Sequence, residues 1–331
     1  MRVGLVFDIR EDYEIDAQDI TFCDFNYLSD MQHLQNTLEQ AGHYVFPIGS
    51  PRKFANLLRQ NTLPQLDIIM NFGEGFLSRN REGIVPALCE IYGIPYTGSD
   101  AFAMVLTLDK HMTLLYAESL GVHTPKGFIY QPEIHSLDCL EALVLESGMA
   151  YPVVVKPNRE GTSMGLSLAK EPDELRSAVS RILQIYHQDV RCDAYIGGHE
   201  LAVPILGTGS AARALGIVEY CEQDGGIMPF YTTEKKEHGS HKTVYRTFGP
   251  DIDRKIIETA LRVHRGFRCC DLSRIDLKLY KGIPYLLEIT PIPSMNRGGT
   301  FEYCAAQQGM SYADLLNAIL NSALQRFPVN R

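Results

Sequence analysis

The sequence predicts an α/β (α+β) fold, with an amino-terminal open parallel-sheet domain and two α+β subdomains behind it. Three observations predict it. Short apolar runs alternate with amphipathic stretches through the first part of the chain, as in βα units. A buried apolar run, Tyr151 to Lys156, leads directly into a small-residue loop. Two strand-like segments, Arg274 to Tyr280 and Pro284 to Thr290, flank a turn at Gly282.

The elements follow in order. Val3 to Phe7 reads as a strand, residues 29–42 as a helix ending at Gly42, and Tyr44 to Pro47 and Leu66 to Met70 as further strands. This block closes near Ile94-Pro95-Tyr96-Thr97-Gly98-Ser99, and one long helix is expected from Ala101 to Leu120, stopped by Gly121. The next block pairs the strand Tyr151 to Lys156 with a strand Leu166 to Ala169. A helix from Pro172 to His187 follows, with Leu175, Val179, Ile182 and Tyr186 on one face. The last block holds strands around Leu201–Leu206 and Ala214–Tyr220, a polar loop 232–246, a helix near 251–265, the hairpin 274–290 and a final helix near 311–325. The expected domains are therefore 1–100, 101–195 and 196–331.

Length and composition agree. At about 150 residues per domain, 331 residues suit two to three domains. Hydrophobic residues at 45% and charged residues at 21% mark a folded globular chain and exclude a disordered or fibrous one. Lys plus Arg number 31 against 40 for Asp plus Glu, a net charge of -9, so no broad cationic surface exists for nucleic acid or anionic lipid. Local anion sites stay open. The eight cysteines have neither CxxC spacing nor a regular framework, which points to reduced thiols in a cytoplasmic compartment. Asp8 arrives too early for a signal peptide, and no apolar run approaches the roughly 20 residues of a membrane span.

The hairpin carries the strongest chemical signal. With Gly282 at the apex, residues equidistant from it face one another, so Asp276 meets Glu288 and Arg274 meets Thr290 on one face. Opposed carboxylates about 5 Å apart repel unless a cation lies between them, and hard oxygen donors favour Mg²⁺ with phosphate completing its shell. A solvated strand face accounts for the same pattern, and a one-residue slip would part the pair. In Val153 to Gly165 a strand delivers Lys156 into a loop containing Gly161, Thr162, Ser163 and Gly165. Glycines admit phosphate oxygens to backbone N–H groups and the lysine adds a point charge, although a plain hairpin loop reads the same way. Lys110 on the long helix is by itself ordinary. Asp193 and Glu200 flank a short turn suited to reading an adenine amino group or a ribose hydroxyl, as turn carboxylates in general also are. The loop Thr232 to His238 brings Lys235 and Lys236 near any phosphate or leaves them in solvent.

Other motifs fall away. Gly207-Thr-Gly-Ser-Ala-Ala212 imitates a dinucleotide turn but lacks room for the following helix, so a hairpin turn is expected. His199-Glu200 has no second histidine four residues on, and the ten histidines show neither metal spacing nor a nucleophile neighbour.

The order of these signals resembles the ATP-grasp ligases, in particular the D-alanine-D-alanine ligase family. The resemblance covers about residues 66–325 and is clearest at Gly93–Ser99, Asp109-Lys110, Val155–Gly165, Ile196–Glu200, and Arg274-Ile-Asp276 with Leu287-Glu288. It implies an ATP-grasp fold enclosing the nucleotide. Lys110, Lys156 and Lys236 would hold ATP phosphates, Asp193, Ala194, Tyr195 and Ile196 would contact adenine, and Glu200 the ribose. Asp276 and Glu288 would hold two Mg²⁺ ions, with Mn²⁺ able to substitute. The implied reaction is attack of a substrate carboxylate on the γ-phosphoryl group, then displacement of phosphate by the amine of a second amino acid. Arg274 would stabilise the oxyanion of that second step, and the flap with Thr162 and Ser163 would exclude water from the acyl phosphate. The resemblance further implies amino acid substrates and a homodimer, while the charge balance and the short apolar runs speak against a nucleic-acid or membrane partner.

The chain also departs from the family. Its amino-terminal block lacks the His-Gly-Gly segment with a following glutamate, offering Phe7 to Asp12 instead. Thr290 stands in place of a metal-binding asparagine, Glu237 of a tyrosine that holds the flap closed, Ser294 of a glycine, and Gly299 of a serine near the second substrate's carboxylate. Glu74 and Glu82 are alternative first-substrate contacts, or members of a surface loop. Three functions are compatible with these residues: a dipeptide-forming ligase acting on D-alanine, the same chemistry on another amino acid pair in a specialised pathway, and a non-catalytic nucleotide-binding regulator.

Overall fold

A computed structural model describes residues 1–9, 12–13, 25–76, 78–228 and 241–327. The amino-terminal block holds β1 (Arg2–Phe7), α1 (Leu28–Gln40), β2 (Tyr44–Gly49), α2 (Pro51–Gln60) and β3 (Ile68–Phe72). The three strands are parallel in the order β2-β1-β3. β1 lies between its neighbours and is covered on both faces, which is why it reads as a continuous apolar run. A Cβ on Gly4 would meet methyl groups of Leu66, Ile69 and Ile48 at 2.6 to 2.9 Å, so a side chain there would have to displace the core. The open ends of β1 and β3 form the crevice where parallel α/β sheets bind ligands. Asp8 lies there, fully buried, accepting from the Gly75 amide at 2.8 Å and from the Tyr13 hydroxyl. Burial pushes its carboxyl above the usual range.

A short 3-10 turn, Arg81–Gly83, leads into α3 (Ile84–Tyr92). The expected single helix from Ala101 to Leu120 is instead two helices, α4 (Ala101–Leu108) and α5 (Lys110–Ser119). Asp109 between them is extended and its side chain accepts from the Met112 amide at 3.0 Å, capping α5. A capping aspartate satisfies the new helix's free N–H groups, so continuous apolar periodicity did not reveal the break.

The second sheet contains β4 (Gly127–Tyr130), β5 (Val153–Pro157), β6 (Ser167–Ala169) and β7 (Val190–Ala194) in the antiparallel order β4-β7-β5-β6. α6 (Leu140–Glu146) and α7 (Pro172–Tyr186) back it, with Leu175, Val179 and Ile182 packed among Val153, Val155 and Cys192. The third sheet is also antiparallel. It holds β8 (His199–Leu206), β9 (Arg213–Ala214), β10 (Val218–Glu222), β11 (His241–Tyr245), β12 (Leu272–Tyr280) and β13 (Ile283–Thr290), in the order β11-β10-β8-β12-β13 with β9 beside β8. The back is sealed by α8 (Pro250–Gly266), whose Ile256, Ala260 and Val263 meet Val203, Ile275 and Leu277. The expected hairpin turn at Gly207–Ala212 is present between β8 and β9.

β11 corrects the expectation of an unbroken polar loop at 232–246. It is an edge strand without a buried residue, so it has no apolar alternation to read. The rest of that loop lies outside the described residues up to 240. α9 (Thr300–Gln307) and α10 (Tyr312–Leu324) complete the chain. α10 returns to the amino-terminal sheet, where Leu315, Leu316, Ile319 and Leu320 join Val3, Leu5, Met70 and Phe72 in one core.

Candidate active site

The β12–β13 hairpin turns on two residues, Lys281 at φ 50° and Gly282 at φ 75°, and not on a single apex at Gly282. Carried straight back, that turn would set Leu287 against Asp276. A bulge prevents this: Leu277 pairs with Leu286, Leu287 is the extra residue, and Asp276 pairs with Glu288 and Arg274 with Thr290. The pairs expected from sequence are therefore present, reached through a different turn. On the other side of β12, Glu200, Ala202 and Pro204 of β8 stand beside Lys278, Asp276 and Arg274. The floor thus alternates long charged side chains with short ones.

Each charge on the floor has a partner. Arg274 grips Asp276 with two hydrogen bonds of 2.8 Å and donates to the Thr290 hydroxyl at 3.3 Å. Burial disfavours the charged guanidinium, but the Asp276 carboxylate outweighs it and raises the Arg274 pKa well above its usual value. Lys110, at the first position of α5, places Nζ 2.9 Å from Glu288 Oε1 and also donates to the Glu160 carbonyl. Lys278 is buried, 2.7 Å from Glu200 Oε2 and 3.2 Å from the Met228 carbonyl.

β5 and β7 form the facing wall. Lys156 Nζ lies 2.9 Å from Asp193 Oδ2, and Arg191 Nε 2.6 Å from Asp193 Oδ1. Burial alone would raise the Asp193 carboxyl, yet Lys156 and Arg191 hold it below the usual carboxylate range. From Lys156 the chain enters the Gly161–Gly165 flap. Thr162 and Ser163 occupy the left-handed region at φ 50° and 60°, a costly conformation for a β-branched residue and one that concentrates at functional loops. A Cβ at Gly165 would lie 2.8 Å from Pro157 and from the Tyr186 ring, so the flap returns close to its own strand.

These parts enclose a cavity of about 470 Å³. Its lining includes Arg274, Thr162, Ser163, Lys110, Lys156, Asp193, Ala194, Tyr195, Ile196 and Glu200. Asp276, Glu288, Thr290, Glu74, Glu82 and Ser294 line it as well. Gly299 does not: it precedes α9 and its amide donates to the Asn296 carbonyl at 2.8 Å, turned into its own loop. Lys236 lies outside the described residues, as does Glu237. Sequence reasoning missed Lys278, Tyr220, Glu160 and Asn296, all in the lining. Lys278 was legible, since Arg274, Asp276 and Lys278 alternate on one strand face. Glu82, offered as a first-substrate contact or a member of a surface loop, is almost fully buried in the turn after β3.

Among the described residues no three His, Cys, Asp or Glu side chains form a ready metal cage. Asp276 and Glu288 offer two hard oxygen donors on the cavity floor, a set that fits a divalent cation whose remaining ligands come from phosphate or water. Four cationic side chains, Lys110, Lys156, Lys278 and Arg274, converge on the same space and suit a polyanion.

Two antiparallel sheets closing on such a cavity, behind a parallel amino-terminal sheet, define the ATP-grasp fold. Solved structures share it. The D-alanine–D-alanine ligase of Bacillus anthracis, crystallised with ATP, superposes with a TM-score of 0.78 at 20% identity, covering 99% of this chain and 98% of that one. The VanG D-Ala:D-Ser ligase of Enterococcus faecalis gives 0.74 at 17%, covering 97% and 99%. In sequence, the family profile for the D-ala D-ala ligase C-terminus matches residues 123–321. The chain belongs to the D-alanine–D-alanine ligase family. Protein y4sG of Sinorhizobium fredii is 33% identical over 78% of this chain and 75% of its own length. The D-alanine–D-alanine ligase of Polaromonas naphthalenivorans is 32% identical over 73% and 74%.

Proposed function

We propose that this chain is an ATP-dependent ligase that joins the carboxylate of one amino acid to the amine of another, forming a dipeptide through an acyl phosphate. The observation that carries this reading is the floor itself: a facing carboxylate pair, Asp276 and Glu288, held between Lys110 and Arg274 and opposite Lys156 and its flap.

In this reading ATP lies between the two antiparallel sheets. Lys110 and Lys156 meet its phosphates, joined by Lys236. Asp193 to Ile196 face the adenine, and Glu200, oriented by Lys278, faces the ribose. The donor set of Asp276 and Glu288, with Thr290 beside them, suits Mg²⁺, which when bound neutralises phosphate charge. Nucleotide binding then exchanges the present ion pair for a contact to ligand: Lys110 leaves Glu288 for phosphate, and the freed Glu288 carboxylate would be available, with Asp276, to hold a divalent cation. The first substrate's carboxylate attacks the γ-phosphoryl group, breaking its bond to the ADP oxygen. The second substrate's amine attacks the resulting acyl carbon and phosphate leaves. Arg274, whose guanidinium stays charged at any working pH, stabilises the tetrahedral oxyanion. Thr162 and Ser163 bring flap amides over the phosphates and exclude water.

Substrate contacts fall to Glu74, Glu82 and Ser294, with Gly299 outside the lining. Phe25, Tyr27 and Phe72 on the amino-terminal wall favour a pair other than two alanines as the second reading of the same chemistry. The domain limits 1–100, 101–195 and 196–331, a homodimer and a cytoplasmic location complete the proposal; no helix among the described residues is long and apolar enough to cross a membrane. Incubation with ATP, Mg²⁺ and a panel of D- and L-amino acids, read by product mass spectrometry, tests it: ADP and a dipeptide are expected together, and ATP binding without ADP formation on any amino acid would overturn it.

A further inference from the structure

Arg81 opens the 3-10 turn after β3, one residue ahead of the cavity-lining Glu82. Its backbone is seated against Gly75, where an added Cβ would lie 2.7 Å from the Arg81 carbonyl. Its side chain crosses to the base of the phosphate flap. One terminal guanidinium nitrogen donates to the Arg159 carbonyl at 2.7 Å and lies 3.3 Å from Glu160 Oε2, and both side chains are mostly buried. The same two flap residues are held from other directions. Gln188 donates to Glu160 Oε1 at 2.6 Å and accepts from the Arg159 amide at 2.7 Å. Lys110 donates to the Glu160 carbonyl while paired with Glu288. The Arg159 guanidinium approaches Asp189 at 3.5 Å and Asp109, the cap of α5, at 3.8 Å.

One segment, Arg159-Glu160, therefore joins the amino-terminal wall through Arg81, the lysine helix and carboxylate floor through Lys110, and the second sheet through Gln188. Lys110 and Gln188 act within the nucleotide-binding half. Arg81 alone among these partners comes from the wall that meets the first substrate. We propose that Arg81 is a positioning residue that couples occupancy of the amino-terminal substrate wall to the flap, so that a seated first substrate holds Gly161–Gly165 down over its acyl phosphate. Loosened, the flap admits water, which attacks the acyl phosphate and returns free carboxylate and inorganic phosphate, so ATP is consumed without amide formation. Because Arg81 touches the flap base and not the phosphates, its loss spares ATP affinity.

This inference rests on the ligase reading, and its test separates the two. In the wild-type chain ADP and dipeptide should form in equal amounts. Arg81→Ala should raise ADP formed per dipeptide and the KM of the first substrate, each by about tenfold or more, the scale of one lost charge-assisted hydrogen bond. The KM for ATP should hold, and Arg81→Lys should recover part of the coupling. An unchanged ADP-to-dipeptide ratio overturns the proposal, whether kcat is normal or uniformly lowered. If Arg81→Ala does not fold, Glu160→Gln, which removes only the ionic half of the contact, carries the same comparison. If the wild-type chain yields no dipeptide, the ligase reading fails first and the clamp is read from trypsin cleavage after Arg159. Faster cleavage in Arg81→Lys than in wild type then supports it, and equal cleavage overturns it.

Discussion

Asp276 faces Glu288 because β13 carries one more residue than its two-residue turn requires. The extra residue, Leu287, brings a second carboxylate into line with the first, and Arg274 and Lys110 hold the two apart from opposite sides. Asp276→Asn and Glu288→Gln should each remove most ligase turnover while far-UV circular dichroism stays close to wild type, with a lowered melting temperature in Asp276→Asn, which takes the carboxylate partner from the mostly buried Arg274. Near-normal turnover in either variant at saturating Mg²⁺ would exclude that residue from the cation site.

Lys156 is held by Asp193, which keeps Arg191 as a second partner, so its removal leaves no buried charge unpaired. Lys156→Ala should weaken ATP binding by a factor of roughly ten to a hundred and fifty, the equivalent of about 1.5 to 3 kcal/mol for a charge-assisted phosphate contact. Titration calorimetry with a non-hydrolysable ATP analogue measures it, and an unchanged Kd removes Lys156 from the phosphate site.

Asp271 is fully buried at the foot of β12. It accepts from Arg326 at 2.6 Å, the Gly98 amide at 2.9 Å, Ser322 at 2.8 Å and Thr208 at 3.0 Å. Arg326 in turn donates to the Tyr96 and Gly98 carbonyls, so one carboxylate fastens the end of the chain and the amino-terminal block to the catalytic sheet. Asp271→Ala should destabilise the protein by about 3 to 5 kcal/mol, as removing one partner of a buried ion pair does. Urea denaturation gives the figure, and a loss below about 1 kcal/mol would contradict the clasp.

His264 is fully buried on α8 between the Ser273 hydroxyl at 2.7 Å and the Gly207 carbonyl at 3.1 Å. Burial lowers its pKa from 6.5 to about 4. Between those values the unfolded chain carries the extra proton, so this group's contribution to stability declines as pH falls through about 6.5 and levels off below about 4. The whole decline is of order 3 kcal/mol, at about 1.4 kcal/mol per unit. His264→Gln should flatten the pH dependence of unfolding free energy over that window; an unaltered slope would show that other groups govern it.

Much of this was legible in the residues. The βα alternation fixed the amino-terminal strands, and Arg274, Asp276, Glu288, Lys156 and the flap announced themselves by type and spacing. Three features were not legible for physical reasons. The break at Asp109 leaves apolar periodicity intact, because a helix cap costs no buried residue. The bulge at Leu287 adds one more leucine to an apolar strand and alters no pattern. The grip of Arg81 on Arg159-Glu160 joins residues far apart in sequence through a carbonyl, which has no side-chain signature. That Gly299 stands outside the cavity lining was not legible either, because position along the chain says nothing of where a helix-capping amide turns.

The central claim is that this floor activates a carboxylate with ATP and passes it to an amine. The most direct measurement is single-turnover chemical quench with radiolabelled ATP, Mg²⁺ and amino acids, comparing wild type with Arg274→Ala. Rapid ADP formation is expected in both, with dipeptide following promptly in wild type and amide formation slowed about a hundredfold to a thousandfold in the variant, the scale of one lost oxyanion donor. Loss of ADP formation and amide formation in equal proportion would contradict it, placing Arg274 in nucleotide binding or in support of the hairpin.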